Sequence, residues 1–245
     1  PAIISSLFLK PRRLPDDYLR LQLDVPTQTV RMNTQRVATY RRVCGYTADA
    51  GVPLAYPHIE AFQAQMALLM SPKFPLRIPG IIHVQNEITQ HASMGFETDY
   101  EMRCQLSGFE EVPRGYSFSI TTQFFTDSTI VWEETSTLVA KSGKKKDMAK
   151  RKDEMIPPAT GARKLTLALD KRLGLRYAAV SYDYNPIHLH PALARLAGQP
   201  QPIAHGMWTL ARCLAEMNTC DAEQYCLVKF KLPAALPSEV RIQIE

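Results

Sequence analysis

The sequence predicts an α+β fold in which antiparallel sheet wraps around two central helices. Three observations carry that prediction. Apolar residues at helical spacing (Ile59, Phe62, Met66, Leu69) precede four segments rich in Thr, Phe, Ile and Val, with Gly and Pro between them. A second apolar run of helical character, with Trp208, Leu210, Cys213, Leu214 and Met217, opens at His205-Gly206. The stretches ahead of the two runs also align: Tyr40 to Tyr46 (YRRVCGY) with Tyr177 to Asp183 (YAAVSYD), and Tyr56-Pro57-His58 with Ile203-Ala204-His205.

Residues 1–26 carry four prolines and read as an irregular lead-in with one extended piece, Tyr18 to Val25. Thr27 to Met32 fits a short strand and Gln35 to Tyr46 a helix. The helix around Ile59 stops at Ser71-Pro72, because proline cannot continue it. Ile78 to Ile88, Phe96 to Leu106, Tyr116 to Phe125 and Thr129 to Ala140 read as strands. Lys141 to Glu154 is almost wholly charged and polar, a solvated linker rather than a nucleic-acid-binding arm. The order then begins again, with Gln224 to Lys231 and Glu239 to Glu245 as strands after the second helix. A strand, a long buried helix and several strands make a hot-dog unit, so the chain reads as a double hot-dog. Residues 1–140 form the first unit, 141–160 a charged linker and 161–245 the second. The first unit has four strands after its helix and the second fewer. On that measure the second is incomplete and is expected to continue for about 40 residues past Glu245.

Composition narrows the class. With 45% hydrophobic and 22% charged residues, the chain is that of an ordinary globular protein with a sizeable core. The net charge of +5 is dispersed except near residues 141–152, and it fits a small anionic ligand as readily as nucleic acid. Five cysteines are an odd number without framework spacing, which points to reduced thiols and a cytoplasmic setting. The apolar stretches are too short and interrupted to span a bilayer, and no signal-peptide pattern opens the chain.

The two repeats differ in one place. From the tyrosine anchor to the helix histidine is 18 residues in the first repeat (40 to 58) and 28 in the second (177 to 205). The extra ten residues house Asn185-Pro186-Ile187-His188. Asp183, Asn185 and His188 thus fall within six residues, whereas the first repeat has Tyr46 opposite Asp183 and nothing opposite His188. Pro186 fixes its own φ and pushes Asn185 out of the α region, so this segment should be an extended or turning loop that aims a carboxylate and an imidazole at one point. Gly206 opens the second central helix, whose first N–H groups have no intrahelical acceptor. Asn185 could stabilise the turn or hold a water or hydroxyl. His188, His190 and His205 invite a metal reading, but no Cys or carboxylate cluster completes a tetrahedral set, and no metal is expected. His205 reads as a buried structural histidine, His58 as a relic or packing residue, Met66 and Met70 as core filling, and Cys213 as a small hydrophobe.

The segment from Tyr177 through Val180-Ser181, Asp183, Asn185-Pro186-Ile187-His188 and Ala194 resembles the signature of MaoC-like (R)-specific enoyl-CoA hydratases and 3-hydroxyacyl-thioester dehydratases. Ile203 to Met207 is similar to the start of their central helix. The resemblance covers roughly forty residues. It implies a hydro-lyase that reversibly hydrates trans-2-enoyl thioesters of coenzyme A or acyl carrier protein, without a cofactor. Asp183 and His188 would be the acid–base pair, Gly206 the oxyanion donor, and Asn185, Tyr182 and His205 substrate-binding residues. Tyr182 departs from the pattern, which has Gly there, and its ring is expected at the pocket wall. The first unit, without the catalytic loop, would leave room for a longer acyl chain. A homodimer is compatible with this reading. Two alternatives remain: a thioesterase using Glu60 or Glu216, and an acyl-thioester-binding or partner subunit whose site Tyr182 fills.

Overall fold

The computed structural model describes residues 17–47, 51–113, 115–141, 162–196, 199–217 and 221–244. A 3-10 turn at Tyr18–Arg20 and a two-residue strand β1 (Leu23–Asp24) replace the longer extended piece expected there. After β2 (Gln28–Arg31), helix α1 (Thr34–Cys44) starts where the Asn33 side chain accepts the Arg36 N–H at 2.8 Å, and it ends at Gly45 with φ +80°. Helix α2 (Pro57–Met70) has proline in its first turn and stops before Pro72. Its buried face carries His58, Ala61, Ala64, Gln65 and Leu68, while Met70, expected in the core, is 42% exposed at the helix end. Strands β3 (Ile81–Gln90), β4 (Asp99–Val112), β5 (Gly115–Thr126) and β6 (Thr129–Lys141) follow.

The charged run, apart from Lys141, lies outside the described residues. Beyond it come β7 (Arg163–Leu169), helix α3 (Leu173–Ser181), short helix α4 (Pro191–Leu196), helix α5 (Gly206–Met217), β8 (Gln224–Lys229) and β9 (Ser238–Ile244). Among the described residues, seven strands form one antiparallel sheet in the order β1-β4-β5-β6-β3-β8, with β2 also on β4 and β7 paired with β9 apart from it. The second repeat therefore extends the first repeat's sheet through the β3–β8 ladder. This is the double hot-dog. Helix α5 is less enclosed than its sequence suggests: Thr209, Arg212, Cys213 and Glu216 are only partly buried. The Trp208 indole N–H docks it on α1 through the Val43 carbonyl at 3.0 Å.

The aligned residues of the two repeats occupy matching places. Tyr40 and Tyr177 pack on each other with ring centroids 6.3 Å apart. Gly45 and Tyr182 are both left-handed caps, of α1 and α3.

The sheet face under α2 is polar where a hydrophobic core would be expected. Period-2 alternation brings Cys104, Thr122, Glu134, Ser136 and Asn86 inward. The buried Glu134 carboxylate accepts from His58 Nδ1 at 2.8 Å, Gln65 Nε2 at 2.6 Å and Asn86 Nδ2 at 2.9 Å. Gln65 also donates to Thr122 Oγ1 at 3.2 Å, and Asn86 to Ser136 Oγ at 2.9 Å.

Burial opposes charge on His58 and Glu134, but their mutual contact prevails, raising His58 above 6.5 and holding Glu134 below 4.5. Glu134 then contributes stability above pH 4.5 that is lost as the pH falls through its lowered value; His58 contributes stability below pH 6.5 that is lost as the pH rises through its raised value. Thermal melts of wild type and Glu134→Gln should accordingly differ most between about pH 4.5 and 6.5, and the gap should narrow as the pH falls through the lowered Glu134 value and as it rises through the raised His58 value. A gap independent of pH would contradict a charged pair.

Candidate active site

Helix α3 ends at Tyr182 with φ +59°, and that left-handed residue turns the chain so that Asp183 leaves the helix. A glycine takes this conformation without a Cβ penalty; a tyrosine carries about 1–2 kcal/mol. The tyrosine ring, expected at the pocket wall, lies instead against Arg36 of the first repeat, whose guanidinium carbon is 4.2 Å from the ring centroid. It borders a hollow of about 420 Å³ between α1 and α3, lined by Asn33, Arg36, Thr39 and Val180. With the ring there, the argument that Tyr182 plugs the site loses its support.

The following turn is built from local hydrogen bonds. The Asp183 N–H donates to Ser181 Oγ at 3.2 Å, and Asp183 Oδ1 accepts the Asn185 N–H at 3.0 Å. Asn185 has ψ 122°, as a residue before proline should, and its Oδ1 caps the 3-10 turn Pro186–His188 by accepting the Ile187 N–H at 3.4 Å. Of the two roles left open for Asn185, the turn-stabilising one is visible here.

His188 is buried, and its Nδ1 lies 2.8 Å from the Ile203 carbonyl. A carbonyl only accepts, so Nδ1 carries the hydrogen and Nε2 the lone pair. His205 is also buried and stacks on His188 with centroids 3.7 Å apart. Its Nε2–H donates to the Asp183 carbonyl at 3.0 Å and lies 3.8 Å from Asp183 Oδ2, and its Nδ1 is buried without a hydrogen-bond partner. Burial pushes His188 below 6.5 against the pull of Asp183. Burial and the adjacent His188 push His205 down to about 4. Both rings are neutral at pH 7.

Gly206 begins α5 right after His205, so its N–H is among those the helix leaves without an intrahelical acceptor. A Cβ there would stand 3.1 Å from the Phe230 ring, which explains the glycine by close packing. The 203–205 segment is itself braced: Ala204 N–H donates to the Ala234 carbonyl at 2.7 Å and Ile203 N–H to the Ile187 carbonyl at 3.2 Å.

The structure thus gathers Asp183, His188, His205 and Gly206, with Asn185 in the turn and Tyr182 turned outward. The three potential metal ligands Asp183, His188 and His205 have ligand atoms within 4.8 Å of one another, a set sequence spacing did not reveal because residue 205 follows the turn by 17 positions (188 to 205). His190 is exposed and uses Nδ1 to accept the Ala192 N–H. Glu60 is tied to Arg36 and Tyr56, and Glu216 to Arg163 and Arg212, so neither offers an unengaged carboxylate for thioester hydrolysis. Burial raises the Cys213 thiol, which keeps it protonated. Sequence reasoning missed Gly174, whose added Cβ would lie 2.0 Å from the His188 carbonyl oxygen, and the half-buried His83 beside Phe230. A glycine inside an amphipathic helix was the available signal for the first; His83 gave none.

Fold and site define a hot-dog protein with a carboxylate–imidazole pair at the N-terminus of a buried helix. The sequence model of the MaoC like domain matches residues 158–228. Over 227 residues the chain is 32% identical to 3-hydroxyacyl-thioester dehydratase X of Mycobacterium tuberculosis, covering 90% of this chain and 79% of that protein. The crystal structure of HtdX from the same organism superposes with a TM-score of 0.72 at 30% identity, over 87% of this chain and 86% of that one. An (R)-specific enoyl-CoA hydratase of Aeromonas caviae is 34% identical over 86 residues, 31% of this chain and 64% of that protein. The chain belongs to the MaoC-like dehydratase family.

Gly174→Ala tests the packing behind the turn. Its methyl group meets backbone rather than a flexible side chain, so the 186–188 turn must shift. Urea unfolding should show a loss of about 1–3 kcal/mol, the usual cost of overpacking. An unchanged midpoint would mean that the contact relaxes freely.

Proposed function

We propose that this protein reversibly hydrates trans-2-enoyl thioesters to (3R)-hydroxyacyl thioesters, carried by coenzyme A or acyl carrier protein, in a cytoplasmic setting. The observation that carries the reading is a neutral, buried His188 whose bare Nε2 shares a turn with the Asp183 carboxylate, at the start of α5. The similar proteins named for a dehydratase and a hydratase describe the two directions of one reaction.

Hydration adds water oxygen to C3 and a proton to C2, and negative charge builds on the thioester oxygen as the enolate forms. In this reading Asp183 Oδ2 orients the water and His188 Nε2 takes its proton. Asp183 favours the imidazolium that results, in line with its upward pull on His188. The proton is then delivered to C2, leaving the turn as it began. The Gly206 N–H, with the positive end of α5, faces the developing oxyanion; one such donor contributes about 2.7–4 kcal/mol in enzymes where it has been removed. His205 stays neutral and holds the turn.

Asp183→Asn and His188→Ala should each lower kcat/KM for crotonyl-CoA hydration by roughly 10²–10⁴-fold with an unchanged circular dichroism spectrum. The double mutant should fall little further than the weaker single mutant, because the two groups act as a unit. Near wild-type turnover in either single mutant would refute the assignment.

The pH profile gives an independent check. Since neutral His188 is the active form and burial lowers its pKa, activity should decline on the acid side with a midpoint below 6.5. An acid limb centred above that value would assign the base elsewhere.

A further inference from the structure

The wall between the site and the first repeat has an unusual composition. Phe230, immediately after β8, packs against Gly206 and lies 5.0 Å from the His83 ring. His83 stacks on His58 at 6.1 Å, and His58 is bonded to Glu134. Asp183 is near enough to act electrostatically on both histidines. A continuous chain of groups therefore leads from the first N–H of α5 into the sheet under α2, and beyond Phe230 it is polar.

His83 reaches that position through a β-bulge. The β3–β6 register shifts between His83 and Gln85, which places His83 opposite Leu138 on the inner face, while the displaced Val84 carbonyl accepts the Phe230 N–H at 2.9 Å. Strict alternation would have turned His83 outward, away from the site.

We infer that this bulged, hydrogen-bonded wall of His83, His58 and Glu134 closes the acyl end of the site and makes the protein selective for short enoyl thioesters. The inference rests on the hydratase reading and reverses the expectation that the first repeat makes room for a longer chain. Glu134 already accepts three hydrogen bonds, so it recruits no polar ligand. An apolar tail pushed past Phe230 would instead meet the buried, unpartnered Nε2 of His83 and then have to strip bonds from a buried charge. Simple core packing requires neither a bulge nor a buried ion pair next to the residue that packs on Gly206.

The test compares kcat/KM for crotonyl-, trans-2-hexenoyl-, trans-2-decenoyl- and trans-2-dodecenoyl-CoA in wild type and in the double mutant His58→Leu/Glu134→Leu. Removing both partners leaves no orphaned charge, and Gln65 and Asn86 keep Thr122 and Ser136 as acceptors. Wild type should prefer crotonyl- over decenoyl-CoA by on the order of tenfold or more, and that ratio should shrink at least tenfold in the mutant. A flat wild-type profile overturns the inference, as does a folded mutant with an unmoved ratio. If the mutant does not fold, the wild-type profile decides. If wild type hydrates none of the four, the hydratase reading fails, and calorimetry with saturated butyryl- and decanoyl-CoA then judges the wall alone. Tighter binding of butyryl-CoA supports it, and tighter binding of decanoyl-CoA overturns it.

Discussion

His205 holds the 183–188 turn in place, and the chemistry available to the site follows from how it does so. Its Nε2–H donates to the Asp183 carbonyl, its ring stacks on His188, and two residues earlier the Ile203 carbonyl takes the His188 Nδ1–H. Carbonyl acceptors leave each ring one possible neutral tautomer, so the backbone itself selects the nitrogen that keeps the lone pair. Burial then keeps both rings uncharged at neutral pH. The neighbouring contacts close around this arrangement. Tyr177 lies 4.9 Å from His205, and Gly174 allows α3 to approach the back of the turn.

The two repeats share a scaffold and differ at one cap. Their anchor tyrosines meet at the centre, and their first helices end in matching left-handed caps. At the cap of α1 the residue is Gly45, while at the cap of α3 it is Tyr182. Stability does not account for that tyrosine. Its backbone conformation costs about 1–2 kcal/mol, and a cation–π contact at a partly exposed site returns about 0.5–1 kcal/mol. Glycine would relieve the strain but forfeit about 0.5–1 kcal/mol in unfolded-state entropy, so the two residues nearly balance. What Tyr182 changes is the surface beside the turn, where its ring covers Arg36 of the other repeat.

Much of this was legible in the sequence because the signals were local. The proline in Asn185-Pro186 predicted an extended residue and a turn, and both are present. The strands of the first repeat alternate clearly, and their observed limits differ from the predicted ones mainly through β4, which runs on to Val112 past a bulge. Strand β7 was missed because Arg163 and Lys164 open it and little of it is buried. Helix α4 is only six residues long and too short for periodicity to register. The partnership of His58 with Glu134 joins residues 76 apart, and no spacing rule anticipates it. Helix α5 was read as buried all round because its apolar residues are numerous, yet it carries a partly buried Arg212–Glu216 ion pair whose guanidinium lies against Gly45 at the cap of α1.

The polar interior of the first repeat is the feature that core formation explains least. Replacing a buried ion pair by well-packed apolar residues is often neutral or stabilising by about 1–4 kcal/mol, so the His58–Glu134 pair is weak evidence of a need for stability. The bulge at Val84 adds a second local sacrifice, since it interrupts the β3–β6 ladder. Neither is required by the hot-dog topology, which needs only that the helix and the concave face of the sheet bury each other. Yet the two converge. The bulge turns His83 inward onto His58, and the carbonyl it frees anchors Phe230, the residue that packs against Gly206. Departures from ideal packing that meet at one point beside the 183–188 turn are better explained by what that point excludes, on the proposed reading, than by what the core must contain.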